Sequence, residues 1–427
     1  MSDAALALIL IFIGGMGIGV PIAVGMALAC LVVLIWQGLP TVMLAQQMIN
    51  STLSFTLIAI PGYLLVGSLM VRSGLVERLI DFCMALMGWM RGGLSLVANL
   101  GTMIFAGISG SGSADTAAVG SVLIPALKQS NYGGGFSAAV VAAGGSIGII
   151  IPPSIPMIIY GLSTNTSVPA LFLAGYVPGI LLGIAFMVYC YGAARKRGLG
   201  TVQQFSAPVL ATSFRKAFFA LLAPVVIVGS VVSGIVTPTE SATIGIAYIV
   251  VLGFVYRRLA LKDLVPILLE AAILSAIVIF MVMSSTIFGW IIVRENVPEA
   301  VVHAALSLTS NKAAVLLLIN IVLLVAGMFM DTVAILIILT PVLYPVATAL
   351  GMNPVHFGTM FVFNLAIGLL TPPVGYCLFV SGAIAKVPVS EVIARIFPFL
   401  WISIAVLMLV TYVEPITMWL PRLVLGQ

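Results

Sequence analysis

Apolar runs as long as a bilayer is thick recur along this chain, and they constrain its fold more than any other feature. A run such as AVLLLINIVLLVAGMF, residues 314–329, is apolar all round. It fits neither the two-residue alternation of an outer-membrane strand nor the single stripe of a soluble amphipathic helix. About 20 helical residues cross a hydrocarbon layer of about 30 Å, and segments of that kind follow one another to the C-terminus. Of 427 residues, 62% are hydrophobic and 7% charged, with no polar stretch long enough for a separate soluble domain. The expectation is an all-α polytopic membrane protein. Its formal charge of +5 is read as a report of orientation rather than of nucleic-acid binding.

Internal similarity comes next, because transporters are often built from two halves of opposite topology. ADTAAVGSVLIPAL, from Ala114, aligns with MDTVAILIILTPVL, from Met330, matching Asp115 to Asp331 and Pro125 to Pro341. SIGIIIPPS, from Ser146, aligns with AIGLLTPPV, from Ala366, placing Gly148, Pro152 and Pro153 on Gly368, Pro372 and Pro373. Weaker matches keep the same order: Pro21 with Pro238, Arg72 and Glu77 with Arg294 and Glu299, and Pro169 with Pro388. The chain therefore reads as two copies, 1–205 and 206–427.

In the first copy, crossings are expected at 4–19, 21–36 and 54–71, then a basic amphipathic arm at 72–91. A hairpin at 93–128 follows, interrupted at SGSGS, its arms short enough to suggest re-entry on one side. A broken crossing at 136–165 and a full one at 170–193 complete the copy. The second copy should hold an outer arm, a hairpin at 313–350 and a broken crossing at 356–385. Five crossings per copy make the repeat inverted. With the N-terminus outside, 14 of the 17 Lys and Arg residues face the cytoplasm and only Arg294, Lys312 and Arg422 lie outside, as the positive-inside rule requires. Both termini are then expected outside. The N-terminus has Asp3 and no basic start, so no cleaved leader is expected.

Lipid offers no hydrogen-bond partners, so unwound backbone at membrane depth belongs where protein buries it or where it lines a cavity. Four segments are built to unwind: SGSGS at 109–113, GGSIGIIIPPS at 144–154, AGMFMDT at 326–332 and AIGLLTPPVG at 366–375. Paired prolines stop a helix and nearby glycines permit tight turns. Broken ends offer carbonyls to cations and N–H groups to anions. One Na⁺ site per copy is expected. The first would use Ser109, Gly110 and Ser111 with Gly145, Gly148, Ile151 and Pro153; the second, Gly327 and Asp331 with Gly368, Thr371 and Val374. An anionic substrate would sit between the tips, near Ser111, Ser113, Ser154 and Thr332.

A carboxylate near mid-membrane costs about 2.5–3.5 kcal/mol on insertion scales, so each aspartate needs a reason. Capping the returning helix is the reading taken for Asp115; capping and ion ligation stay open for Asp331. Thr237-Pro-Thr-Glu240 fits a capping box. Cys30, Cys83, Cys190 and Cys377 read as core residues, His303 and His356 as outer-surface residues, and GGMGIG at 14–19 as close helix packing. Neither paired catalytic groups for an intramembrane enzyme nor the continuous polar stripe of a channel is present, so no enzymatic activity is expected.

GISGSGSADTAAVG, IIIPPSIPMIIYG, and the GMFMDT and LLTPPVG pair resemble the large membrane subunit of tripartite ATP-independent periplasmic (TRAP) transporters, along essentially the whole chain. The resemblance implies a bacterial inner-membrane carrier that takes up carboxylates, such as C4-dicarboxylates or sialic acid, using a sodium gradient. It also implies a small four-helix membrane subunit, a periplasmic substrate-binding protein and an elevator motion of the ion-transporter-superfamily type. A self-sufficient sodium- or proton-coupled carrier of citrate, dicarboxylate or arsenite is the alternative.

Overall fold

The computed structural model describes residues 2–199, 204–308 and 311–426, and among them every regular element is helical. The first ten helices are α1 (Asp3–Gly17), α2 (Ile22–Trp36), α3 (Val42–Thr52), α4 (Ala59–Arg72), α5 (Leu75–Met87), α6 (Gly93–Ser109), α7 (Gly112–Gln129), α8 (Gly134–Ser146), α9 (Ile155–Thr164) and α10 (Val168–Arg197). Ten more follow: α11 (Ala207–Val232), α12 (Pro238–Val255), α13 (Leu261–Arg294), α14 (Val297–Leu308), α15 (Lys312–Phe329), α16 (Thr332–Ala349), α17 (Pro354–Gly368), α18 (Tyr376–Ala385), α19 (Val389–Tyr412) and α20 (Pro415–Leu425).

Composition explains the placement. Helix α8 is GGFSAAVVAAGGS and α17 is PVHFGTMFVFNLAIG; with no polar face, both are buried on nearly every side and form the centre of the molecule. Around them the packing recurs in matched pairs. Helix α7 lies against α8 and α18, as α16 lies against α17 and α9. Likewise α6 packs on α8 and α15 on α17, while α19 covers α8 and α10 covers α17. Lys128 Nζ donates to the Ala385 carbonyl at 2.7 Å, fastening the end of α7 to the end of α18.

Outside this block, α4 pairs with α12 and α13, α2 with α1 and α13, and α5 with α11. Outward-facing Val225, Val251 and Leu269 on α11–α13 suit a lipid surface. The amphipathic arm at 72–91 is α5, which buries Leu75, Val76, Leu79, Ile80 and Cys83 on one side.

Several details differ from expectation. Helix α3 had no counterpart in the sequence reading, because VMLAQQMINST has too many polar residues for a crossing. It packs against α13, whose 34 residues extend about 51 Å. Among the described residues eight helices are long and apolar enough to cross a membrane, and α15 and α16 are among them at 18 residues each, so length alone does not make their hairpin re-entrant. The glycines at 14, 17 and 19 face open space rather than a packed neighbour: the motif ends α1 and turns at Gly19, where φ is +85°. His356 is buried at 4% exposure instead of lying on the surface, because α20 folds back over it. Thr417 on α20 meets its Nδ1 at 2.7 Å. His303 is exposed as expected, all four cysteines are free and buried, and the 237–240 capping box is present.

Candidate functional site

Each expected interruption is where a helix stops. Helix α6 ends at Ser109 and α7 begins at Gly112; α15 ends at Phe329 and α16 begins at Thr332. Between α8 and α9 the chain passes through a short 3-10 turn at Ile147–Ile149 and the Pro152-Pro153 pair. Between α17 and α18 it passes the Pro372-Pro373 pair. Both Pro-Pro bonds are cis.

In the first assembly the tip of α6–α7 sits directly on the break after α8. Ile155 N–H points to the Gly110 carbonyl at 3.5 Å, and Gly110, at φ +67°, has the Pro153 carbonyl where a Cβ would lie. A Cβ on Gly112 would come 2.9 Å from the Gly145 carbonyl, and one on Gly148 would collide with the Asp115 carboxylate. Ser109, Gly110, Gly145, Gly148 and Pro153 are thus brought together, and Ser109–Gly110 and 144–154 are buried throughout. Ile151 is in the same turn, its side chain against Gly179 of α10.

Asp115 is not a cap. Helix α7 starts three residues before it, so its carboxylate lies one turn inside, where Oδ1 accepts from the Ser109 hydroxyl and Oδ2, fully buried, has no partner. Asp331 is the cap: its carboxylate accepts from Val333 N–H at 3.0 Å. The two matched aspartates therefore do different work. An unpaired buried acceptor facing a glycine-lined cradle is an arrangement that a cation would complete.

In the second assembly Gly327 and Gly368 meet backbone to backbone; a Cβ on Gly368 would lie 2.8 Å from the Gly327 Cα. Val374 N–H donates to the Met328 carbonyl at 3.3 Å, and Thr371 N–H to the Gly368 carbonyl at 3.1 Å. The Thr371 hydroxyl donates to the Ile367 carbonyl at 2.7 Å. A cavity of about 140 Å³ opens here, lined by Gly327, Asp331, Thr332, Gly368, Val374 and Tyr376 among others. The first assembly is closed over; the second is open.

Of the four expected substrate contacts, only Thr332 lines that cavity. Ser111 and Ser113 are half-buried at the first tip, their hydroxyls 3.3 Å apart. Ser154 is turned inward, donating to the Ile149 carbonyl at 2.6 Å and capping α9. The assemblies touch: Leu369, in the second break, lies against Gly112 of the first tip. A larger cavity, about 360 Å³, is lined by Lys312, Asn353, His356 and Glu414, and none of the expected site residues reaches it.

Sequence reading missed Thr116, whose hydroxyl donates to the Gly112 carbonyl at 2.8 Å and presses on Gly145. The repeated Asp-Thr pair was a signal for it. It also missed Asn320 and Asn364, buried polar residues on the apolar helices α15 and α17.

Among the described residues the chain is thus an all-helical protein in which two hairpin tips meet two helix breaks. The fold is shared with the YdaH transporter of Alcanivorax borkumensis, at a TM-score of 0.57 over 86% of each chain and 15% identity. Residues 9–416 match the family model of the tripartite ATP-independent periplasmic transporter DctM component, and the chain belongs to that family. It is 41% identical to the sialic acid TRAP transporter large permease SiaM of Vibrio cholerae over 90% of each chain. It is 40% identical to the C4-dicarboxylate TRAP transporter large permease DctM of Pseudomonas aeruginosa over 89% of each. The isethionate TRAP transporter permease DctMQ of Oleidesulfovibrio alaskensis is 42% identical over 92% of this chain, which spans 63% of that relative's length.

Proposed function

We propose that this chain carries a small organic anion inward across the bacterial inner membrane, coupled to Na⁺, as the large subunit of a TRAP transporter. The observation that carries this reading is the convergence of each hairpin tip on a broken helix, with the Asp115 carboxylate left unpartnered inside the first pair. Carbonyls, hydroxyls and one carboxylate at such a junction suit a hard cation, and the cavity beside Thr332 suits the anion. In this reading 1–205 and 206–427 are inverted copies, both hairpins are re-entrant and both termini face outward. The central block, with tips and breaks, moves as an elevator against the peripheral helices.

The relatives' names cover sialic acid, C4-dicarboxylates and isethionate, so the substrate class is a carboxylate or a related sulfonate. A periplasmic binding protein delivers it and a small membrane subunit supports the peripheral helices. The test is uptake of labelled sialic acid, succinate and isethionate into proteoliposomes holding both membrane subunits. One anion should enter, only with Na⁺ and the binding protein present. Sodium-independent uptake without the binding protein would favour a self-sufficient carrier and sink this reading.

A further inference from the structure

A polar chain runs through the apolar interior of the second half. Asn364 on α17 donates from Nδ2 to Asn320 Oδ1 on α15 at 2.8 Å. Asn320 in turn donates to the Thr411 hydroxyl on α19 at 2.9 Å. All three side chains are at most 2% exposed. Asn320 lies two turns before Gly327 and Asn364 one turn before Gly368, the two glycines whose backbones touch.

The first half lacks this device. Asn99 and Cys190, each 221 residues before Asn320 and Thr411, are linked only by a 3.5 Å N–H to sulfur contact. Where Asn364 would fall, 220 residues earlier, stands Gly144, and the Thr102 side chain packs into the space. That seam is held by close packing beneath a buried tip. The second cradle has no such cover: Asp331, Val374 and Tyr376 are exposed on the cavity. Helix α17 also stops at Gly368, so beyond it no helical ladder fixes its distance from α15.

We propose that Asn364, held through Asn320 to Thr411, is a positioning residue that sets the spacing of Gly327 and Gly368 and hence the sodium affinity of the second cradle. This rests on the sodium-coupled reading above. The clamp touches neither ion nor substrate; it acts by joining three helices upstream of the break. A hydrogen-bonded amide pair suits that purpose because its geometry is directional and its loss leaves a buried partner unsatisfied.

The experiment is ²²Na⁺ binding to the purified chain. Asn364→Leu and Thr411→Val, which keep shape and delete the polar contact, should raise the half-saturating sodium concentration of one site roughly three- to tenfold, the effect of losing one net hydrogen bond. Thr411→Ser keeps the hydroxyl and should bind sodium as the unaltered chain does. If Asn364→Leu does not fold, the milder Thr411→Val decides the matter. Unchanged half-saturation in folded Thr411→Val, or an equal loss in Thr411→Ser, would overturn the inference. An unaltered chain that binds no sodium would instead overturn the functional reading.

Discussion

At the scale of single residues, the breaks were legible because glycine and proline act locally. Gly110, Gly148, Gly368 and the two proline pairs all fall at interruptions, whatever surrounds them. The role of Asp115 was not legible, since it depends on where α7 begins. SGSG lets that helix start at Gly112, while the bulkier FMDT starts α16 only after Asp331; the same Asp-Thr pair thus ends up inside one helix and capping the other. His356 was misplaced because its cover, Thr417, lies 61 residues away. Gly148→Val should abolish transport by driving a side chain into Asp115, and Gly368→Val by parting it from Gly327. Both variants should reach the membrane at near-normal abundance, measured by immunoblot beside uptake. Normal uptake in either would show that these close approaches are dispensable.

At the scale of elements, hydropathy found the long helices and the amphipathic arm, but not α3, whose polar sequence is stabilised by packing on α13. Caps and loop contacts hold the helix ends. Thr237 accepts from Glu240 N–H at 3.3 Å and the Glu240 carboxylate accepts from Thr237 N–H at 2.8 Å. Replacing this cap, Thr237→Ala, should cost about 1 kcal/mol and lower the melting temperature of the purified protein. Where α2 ends, Gln37 Nε2 donates to Glu295 Oε1 at 2.8 Å, joining α2 to the α13–α14 turn. That hydrogen bond, with one from Ser2, holds the Glu295 carboxyl below its usual range against a small opposing effect of burial. A lowered folded-state pKa means the contact stabilises the protein at neutral pH and fades as pH falls through and below the ordinary glutamate value of about 4.3. Gln37→Leu should therefore lower the melting temperature more at pH 7 than at pH 4. An equal effect at both would place the stabilisation elsewhere.

At the scale of the whole molecule, α7 packs on α8 and α18 much as α16 packs on α17 and α9. Orientation rests on charge, and it is open to direct test. Single cysteines at Ile235 and Pro40 should react with an impermeant maleimide from outside, and those at Gln129 and Leu261 only from inside; the reverse pattern would invert the assignment. The first assembly is closed over and the second opens on a cavity of about 140 Å³. The central claim is that both tip–break assemblies hold the sodium that drives anion entry. It is tested most directly by following ²²Na⁺ and labelled anion together into proteoliposomes containing the full transporter. Anion entry should be accompanied by ²²Na⁺ entry, and Gly148→Val and Gly368→Val should each abolish both. Anion entry without ²²Na⁺, or coupled entry that survives both substitutions, would contradict the account.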